Sequence, residues 1–381
     1  MTSRSIRRRR RTILSLLPLF ILAGATVPQA ASASEWVPES LPSVSGATST
    51  HLSAVSCINE HGCAAVGAYT DSSGKTHTLA ERRASSTWTV QSTPNPGEGG
   101  TGELTGVSCT SESYCVASGV YKIAGTARPL IEVWNGVEWK QQTISAAAGA
   151  FTLKAVSCIS VATRCTAVGS HNSGGKVTAT AFRWNGEQWT EQWPPQPNGA
   201  SETVLNGVYC SELPQACTAV GTVNGASTLA ETWVNESWKI DTAPELPVSS
   251  LNGVSCLFWT NCKAVGRALT GSKARKTLAE SWNGTEWLVQ PNAAVEGGLN
   301  AVSCWSESNC FATGFVTVGP TATAEDWYGT EWQTQTVRLP VGTTTSELVG
   351  VSHFSSFQGV AVGNYRGPSV GPEKALAERW E

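Results

Sequence analysis

The chain has 381 residues, a formal charge of −3 and only 14% charged side chains, with 37 glycines, 16 tryptophans and 12 cysteines. An acidic balance argues against a nucleic-acid binder, whose affinity comes from neutralising phosphates. An even cysteine count suits an oxidising compartment better than the cytosol.

The N-terminus reads as an export signal. Residues 1–33 combine Arg4 and Arg7 to Arg11, an apolar stretch from Ile13 to Gly24 and a small-residue site at Ala31-Ser32-Ala33, the three parts of a secretory signal peptide. The apolar stretch is short and contains Pro18, so it is not expected to span a membrane. Cleavage after Ala33 removes six arginines and no acid, which takes the charge from −3 to −9. Arg10-Arg11-Thr12-Ile13-Leu14 also resembles a loose twin-arginine signal, leaving the export route open.

From there the chain repeats itself. Seven units start at Leu52, Leu104, Leu153, Leu205, Leu251, Leu299 and Leu348, 46 to 52 residues apart, a period in propeller range. The fifth unit shows the pattern best, as LNGVSC (251–256), CKAVG (262–266), TLAESW (277–282), Asn283-Gly284 and TEWLVQ (285–290). These are four short β-prone runs bounded by turn signals. Asn135-Gly136, Asn185-Gly186 and Asn283-Gly284 predict two-residue type I′ hairpin turns. Small residues fill the first two runs (Gly253, Ser255, Ala264, Gly266) and Trp282 and Trp287 the last two, as a wedge that is thin at an axis and thick at a rim requires. Most tryptophans recur at those two outer positions and are expected to be structural, with sugar stacking as the lesser alternative.

The expected fold is therefore an all-β, seven-bladed β-propeller with four antiparallel strands per blade, a single domain over residues 34–381. The seventh unit ends at Glu381 without a fourth run. Glu35 to Pro42 resembles that missing run, so the N-terminal strand is expected to pair with Ala375 to Trp380 and close the ring without an open edge.

The cysteines form six pairs, each bracketing the first hairpin loop of a unit. Cys57 goes with Cys63, Cys109 with Cys115, Cys158 with Cys165, Cys210 with Cys217, Cys256 with Cys262 and Cys304 with Cys310. Disulfides are expected rather than metal, because adjacent units hold the pairs apart and no histidine recurs beside them. The seventh unit has His353 and Gly359 instead, read as drift.

With that strand order, the cysteine loops and Asn-Gly turns share one face, and the loops after the second and fourth strands share the other. Function is expected on the second, more variable face. Loops after the second strand carry Lys75, Lys122, Arg128 and Lys176, then Arg267, Lys273, Arg275 and Lys276, then Arg366 and Lys374, against Asp71 and Glu373. Of the basic residues all but Lys176 and Lys276, together with His77 and His171, are the candidate ligand-binding residues. Loops after the fourth strand are acidic, with Glu98, Glu103, Glu202, Glu245, Glu296 and Glu347. Such sorting either patterns a face for an extracellular polysaccharide or protein, or reflects ordinary charged loops.

Signals for catalysis are weaker. Glu81, Glu132, Glu231, Glu280, Glu325 and Glu378 recur at one place in the third run, where Phe182 stands seventh, and repetition points to a structural hydrogen-bonding device. The histidines form no metal-ligand spacing, and no serine elbow, phosphate loop or zinc motif occurs, so no cofactor and no metal are expected.

The pattern VSC, five or six residues, C-x-AVG, then LAE-x-WNG-x-x-W resembles a group of secreted actinobacterial repeat proteins, over nearly all of residues 34–381. Ser281 to Trp287 also resembles a degenerate Asp-box of sialidase-type propellers, with Asn for Asp and a shorter spacing to the tryptophan. In that family the box is a structural turn, so the resemblance implies fold and not catalysis. The functional expectation is a monomeric, secreted binding module without a catalytic site. A carbohydrate-active enzyme, hydrolase or lyase, is the alternative, and a surface spacer a third.

Overall fold

The computed structural model describes residues 1–2, 34–96, 101–159, 164–212, 215–269, 271, 274–319, 321–356, 358–368 and 371–381. The predicted signal segment, apart from its first two residues, lies outside them, as do Glu98 and Lys273. Among the described residues, strands assemble into seven four-stranded antiparallel sheets, each in chain order except the last. Blade 1 consists of Ala47–Cys57, Gly62–Asp71, Thr76–Ala84 and Thr87–Gln91. The innermost strands of blades 2 to 6 are Thr101–Ser111, Ala150–Cys158, Thr203–Ser211, Ser249–Phe258 and Gly297–Ser306. Blade 7 has Thr345–Ser355, Gln358–Arg366 and Lys374–Trp380, and its outermost strand is Trp36–Pro38 from the other end of the chain. There Trp36 pairs with Trp380, Val37 with Arg379 and Pro38 with Glu378. The same strand reaches back toward blade 6, with Trp36 N bonded to Thr336 O and Arg338 N to Trp36 O.

The core lies between blades rather than within them. A sheet wetted on both faces has nothing to bury against, so each blade packs its small inner residues and outer tryptophans on the next. One cluster joins Val220 and Ala230 of blade 4 to Leu251, Cys262, Leu278, Trp282 and Trp287 of blade 5. The repeat leucines are fully buried.

The cysteine pairs are disulfides, each closing its blade's first hairpin. Cys57 is bonded to Cys63, Cys109 to Cys115 and Cys158 to Cys165. Cys210 is bonded to Cys217, Cys256 to Cys262 and Cys304 to Cys310. The two halves of each staple serve differently. The second-strand partners Cys63, Cys115, Cys165, Cys217, Cys262 and Cys310 are all buried and belong to the packing between blades, whereas Cys57, Cys109, Cys158 and Cys304 are half-buried. These cysteines are therefore structural, and none of them is free to bind a ligand or react.

The serine before each first cysteine explains the VSC motif, because its hydroxyl accepts the backbone N–H of the next blade's cysteine. Ser56 accepts from Cys109 at 3.0 Å, Ser255 from Cys304 at 3.0 Å and Ser352 from Cys57 at 3.0 Å. Tyr209 interrupts the series between blades 4 and 5.

Outer tryptophans are held in the same blade-to-blade manner. Three residues beyond the outermost-strand Trp stands an acceptor for the next blade's indole: Gln142 for Trp189 at 2.7 Å and Gln192 for Trp238 at 2.9 Å. At the seam Glu39 takes this role for Trp88 at 2.7 Å. Glu39 also holds Arg83 through Nε and Nη2, at 3.0 and 2.7 Å, in an ion pair whose side chains are 10% and 3% exposed.

Two expectations are corrected. The Asn-Gly turns are not two-residue turns with positive φ at both positions. Only the glycine is left-handed, and Asn135 Oδ1 instead accepts from the N–H groups of Val137 and Glu138, closing a four-residue loop. A two-residue turn with both φ positive occurs in blade 4, at Asn235-Glu236. The repeated glutamates share burial rather than a common hydrogen bond, and of the six only Glu325 has hydrogen bonds, with Thr277 and the Ala293 backbone, that lower its value. Both carboxyl oxygens of Glu132, Glu231, Glu280 and Glu378 are buried without a hydrogen-bond partner. Desolvation therefore disfavours their charged form, pushing Glu132 and Glu231 up to about 8 and Glu378 to about 9.

Candidate functional site

Every innermost strand contains a bulge immediately after its repeat leucine. The AVG motif of the second strand explains it. A Cβ on Gly67 would lie 2.0 Å from the carbonyl oxygen of His51, and Gly363 meets Glu347 in the same way, so the backbones approach as only glycine allows. The bulge frees one residue per blade from the ladder. Those residues are Ser53, Thr105, Lys154, Asn206, Asn252, Asn300 and Val349, and they line the central channel together with a ring of valines.

The ring of freed residues has two parts. In blades 4 to 6, Asn206, Asn252 and Asn300 donate to the carbonyls of Leu251, Leu299 and Leu348 at 2.8 to 2.9 Å, so they serve the joints between blades. In blade 2 Thr105 does the same to Leu153 O at 2.9 Å. Elsewhere the channel presents the freed Lys154, then His51, Glu103 and Glu347, which precede the repeat leucine, and Asn364, whose Oδ1 accepts the Leu52 N–H at 3.1 Å. His51 Nε2 lies 3.5 Å from Glu103 Oε1. That carboxylate holds His51 above its ordinary value, and His51, Lys154 and Lys122 hold Glu103 below its own. Glu347 is raised, by burial first and then by the charge of Glu373. Two carboxyl groups in one cavity are thus pushed in opposite directions.

Three depressions meet around blade 7. The channel cavity, about 540 Å³, shares Glu347 and Asn364 with a cavity of about 180 Å³. That second cavity shares Tyr365 and Glu373 with a cavity of about 640 Å³ at the seam, lined also by Lys374 and the 38–44 segment. Through these shared residues a groove of mixed polar and apolar lining runs from the channel across the blade closed by the N-terminal strand.

Most of the predicted basic residues lie elsewhere on the rim. Lys75 and His77 belong to one local turn, where Asp71 accepts from the Lys75 N–H at 3.1 Å and meets His77 at 2.8 Å. The Ser73 hydroxyl and His77 hold that carboxyl well below the usual range. Arg128 and His171 come together on adjacent carbonyls, Gly149 O at 3.1 Å and Ala148 O at 2.9 Å. Arg267 is partly buried beside Arg275, and both burial and that like charge lower its value. Lys122 is exposed and reaches the channel only through its charge on Glu103. Arg366 and Lys374 alone among the described candidates line the groove, Arg366 3.8 Å from Glu373.

His51, Lys154, Asn364 and Tyr365 were missed, and Glu103 and Glu347, expected in loops, stand on innermost strands. The available signal was departure from the repeat. Lys154 stands where the other units have Ser, Thr, Asn or Val, and only three units place an ionisable residue just before the leucine.

A scan against protein-family models and a search of curated proteins both find no match. Among solved structures the chain is similar to YCF48 bound to a D1 peptide, at 14% identity over 92% of this chain and 98% of that one, with a TM-score of 0.56. It is similar to a protein of unknown function from Dyadobacter fermentans DSM 18053 at 12% identity, over 89% and 100%, with a TM-score of 0.50. Aleuria aurantia lectin in complex with Fucalpha1-6GlcNAc matches at 14% identity, over 77% and 98%, with a TM-score of 0.46. Identities this low carry the fold alone. The chain is a seven-bladed β-propeller with a disulfide in each of six blades.

Proposed function

We propose that residues 34–381 form a secreted, monomeric binding module for an extracellular glycan, wall polymer or protein, exported by the 1–33 segment and cleaved after Ala33. The repeat pattern supports placing it with the secreted repeat propellers it resembles. One observation carries the binding role: on a ring whose blades otherwise repeat, unlike polar side chains from blades 7, 1, 2 and 3 converge in one cavity. Apart from Asn364, which joins blades 7 and 1 through the Leu52 N–H, these are residues that most blades do without, and their gathering where a propeller is open is what a ligand requires. The test is capture on insoluble wall fractions and immobilised polysaccharides by the unaltered protein and by Lys154→Ala and Glu347→Ala. The expected result is capture by the first and at least about tenfold weaker capture by both variants. Equal capture by all three would sink this site.

Glu103 and Glu347 line one cavity with opposite shifts, the first lowered and the second raised, which favours a second role, glycoside hydrolysis by a pair of carboxyl groups. Release of reducing sugar, lost in both Glu103→Gln and Glu347→Gln, is its signature. Binding without release excludes it for the polymers tried.

A further inference from the structure

Thirteen tryptophans sit at the two repeated outer positions, and Trp193, Trp259 and Trp305 do not. Trp193 follows the outermost strand of blade 3, on the variable face, and is 52% exposed. It does not stand alone. Its ring centroid is 5.1 Å from His171, His171 stacks on Phe151 at 4.2 Å and 12°, and Phe151 meets Phe182 edge-on at 5.7 Å. This column runs from the surface to two phenylalanines that are fully buried.

Building it took coordinated departures from the repeat. Where blade 3 has Phe151, the other blades have Thr50, Gly102, Thr203, Ser249, Gly297 and Ser346. Where it has Phe182, all the others have glutamate. His171 is fixed by Ala148 O, and the neighbouring Gly149, at φ 136°, leaves it room, since a Cβ there would lie 2.3 Å from its Nε2. Six blades fold without such a column, so the fold does not explain it.

We propose that Trp193 is the stacking platform of a carbohydrate subsite, taking the C–H face of a hexopyranose ring. This rests on the binding role above and names the partner as a glycan. The negative face of an indole attracts the apolar, slightly positive C–H face of a pyranose. One indole matches one sugar ring in size, whereas a protein interface draws its energy from clustered anchors packed together. Support by His171 and Phe151 from beneath leaves little side-chain freedom to lose on binding. Exposed Lys176 and Glu202 flank the same loop, where Val177 bridges Glu202, and offer partners for sugar hydroxyls.

The experiment is titration calorimetry of the full mature protein with cellohexaose, chitohexaose and laminarihexaose, using the unaltered chain, Trp193→Ala, Trp193→Phe, Trp305→Ala and Lys154→Ala. The expected result is binding of at least one oligosaccharide, weakened at least about tenfold in Trp193→Ala, largely kept in Trp193→Phe and unchanged in Trp305→Ala. Full affinity in Trp193→Ala with loss in Lys154→Ala overturns the platform and leaves the channel site standing. Absence of binding to all three by the unaltered chain overturns the platform too, and the wall-capture test then decides the binding role separately.

Discussion

Blade 7 and the six disulfide-bearing blades solve one problem by different means. In the six, a crosslink closes the first hairpin. In blade 7 the equivalent place holds His353, stacked 3.7 Å from Phe311 of blade 6 and bonded through Nδ1 to Ser303 O at 2.7 Å. Gly359 stands at the other cysteine position, where a Cβ would lie 3.0 Å from the Phe311 ring. The loss of the disulfide is thus filled by packing from the neighbouring blade, and His353 is more than drift. Burial pushes its imidazole down to about 4, so it stays neutral. Chain closure in this blade rests on the pairing of Trp36–Pro38 with Lys374–Trp380, the buried Trp36 and the Glu39–Arg83 pair rather than on a covalent bond. The difference teaches that the weak point of a closed ring is defended across blades, not within one.

The broadest way to break the comparison is pH. Glu81, Glu280 and Glu325 are raised to about 7, Glu132 and Glu231 to about 8, and Glu378 to about 9 because Glu39's charge adds to burial. A raised carboxyl binds more protons folded than unfolded. Its stability contribution is therefore complete below about 4.5 and drains as pH climbs through the folded value, at up to about 1.4 kcal/mol per pH unit for each group. The urea midpoint should fall steadily from pH 5 to pH 9, by more than either substitution below produces. Amide exchange near pH 9 should be faster in Lys374–Trp380 than in Thr126–Trp134, and the reverse order would contradict a seam that opens first.

Next in size is Arg83→Ala, which leaves the Glu39 carboxylate with the Trp88 indole N–H and, at 3.5 Å, Arg379, and should cost about 3 kcal/mol in denaturant unfolding, the low end for breaking a buried ion pair. A loss under about 1 kcal/mol would mean that the N-terminal strand is held by Trp36 and its backbone bonds alone. Smallest is removal of one staple, as Cys256→Ala with Cys262→Ala. Closing a loop of seven residues is worth about 2.4 kcal/mol in the chain-entropy view. Six crosslinks within single hairpins should also survive as six short crosslinked peptides on mapping without reduction.

The ring was legible because each feature is written six or seven times. Leucine spacing, cysteine pairs and outer tryptophans reinforce one another, and the truncated last unit pointed to Glu35–Pro42. The site was less legible because it is written once. His51, Glu103 and Lys154 lie about fifty residues apart, and Glu347 joins them only when the ring closes. The turn type was misread because asparagine's side chain satisfies the loop backbone itself, making a left-handed asparagine unnecessary. The buried glutamates were misjudged because repetition reveals a shared environment without saying whether it contains a partner.

The bulge after each repeat leucine has a consequence for how such a chain diverges. Its residue lies outside the strand ladder, with the opposing glycine accommodating the close approach, so a change there rewrites the channel wall and leaves the ladder intact. A propeller grown by copying one blade begins with identical letters at this position. Asn206, Asn252 and Asn300 still read as copies, while Ser53, Thr105, Lys154 and Val349 have moved on. The channel is a seven-letter address on an envelope that does not need refolding each time a letter changes.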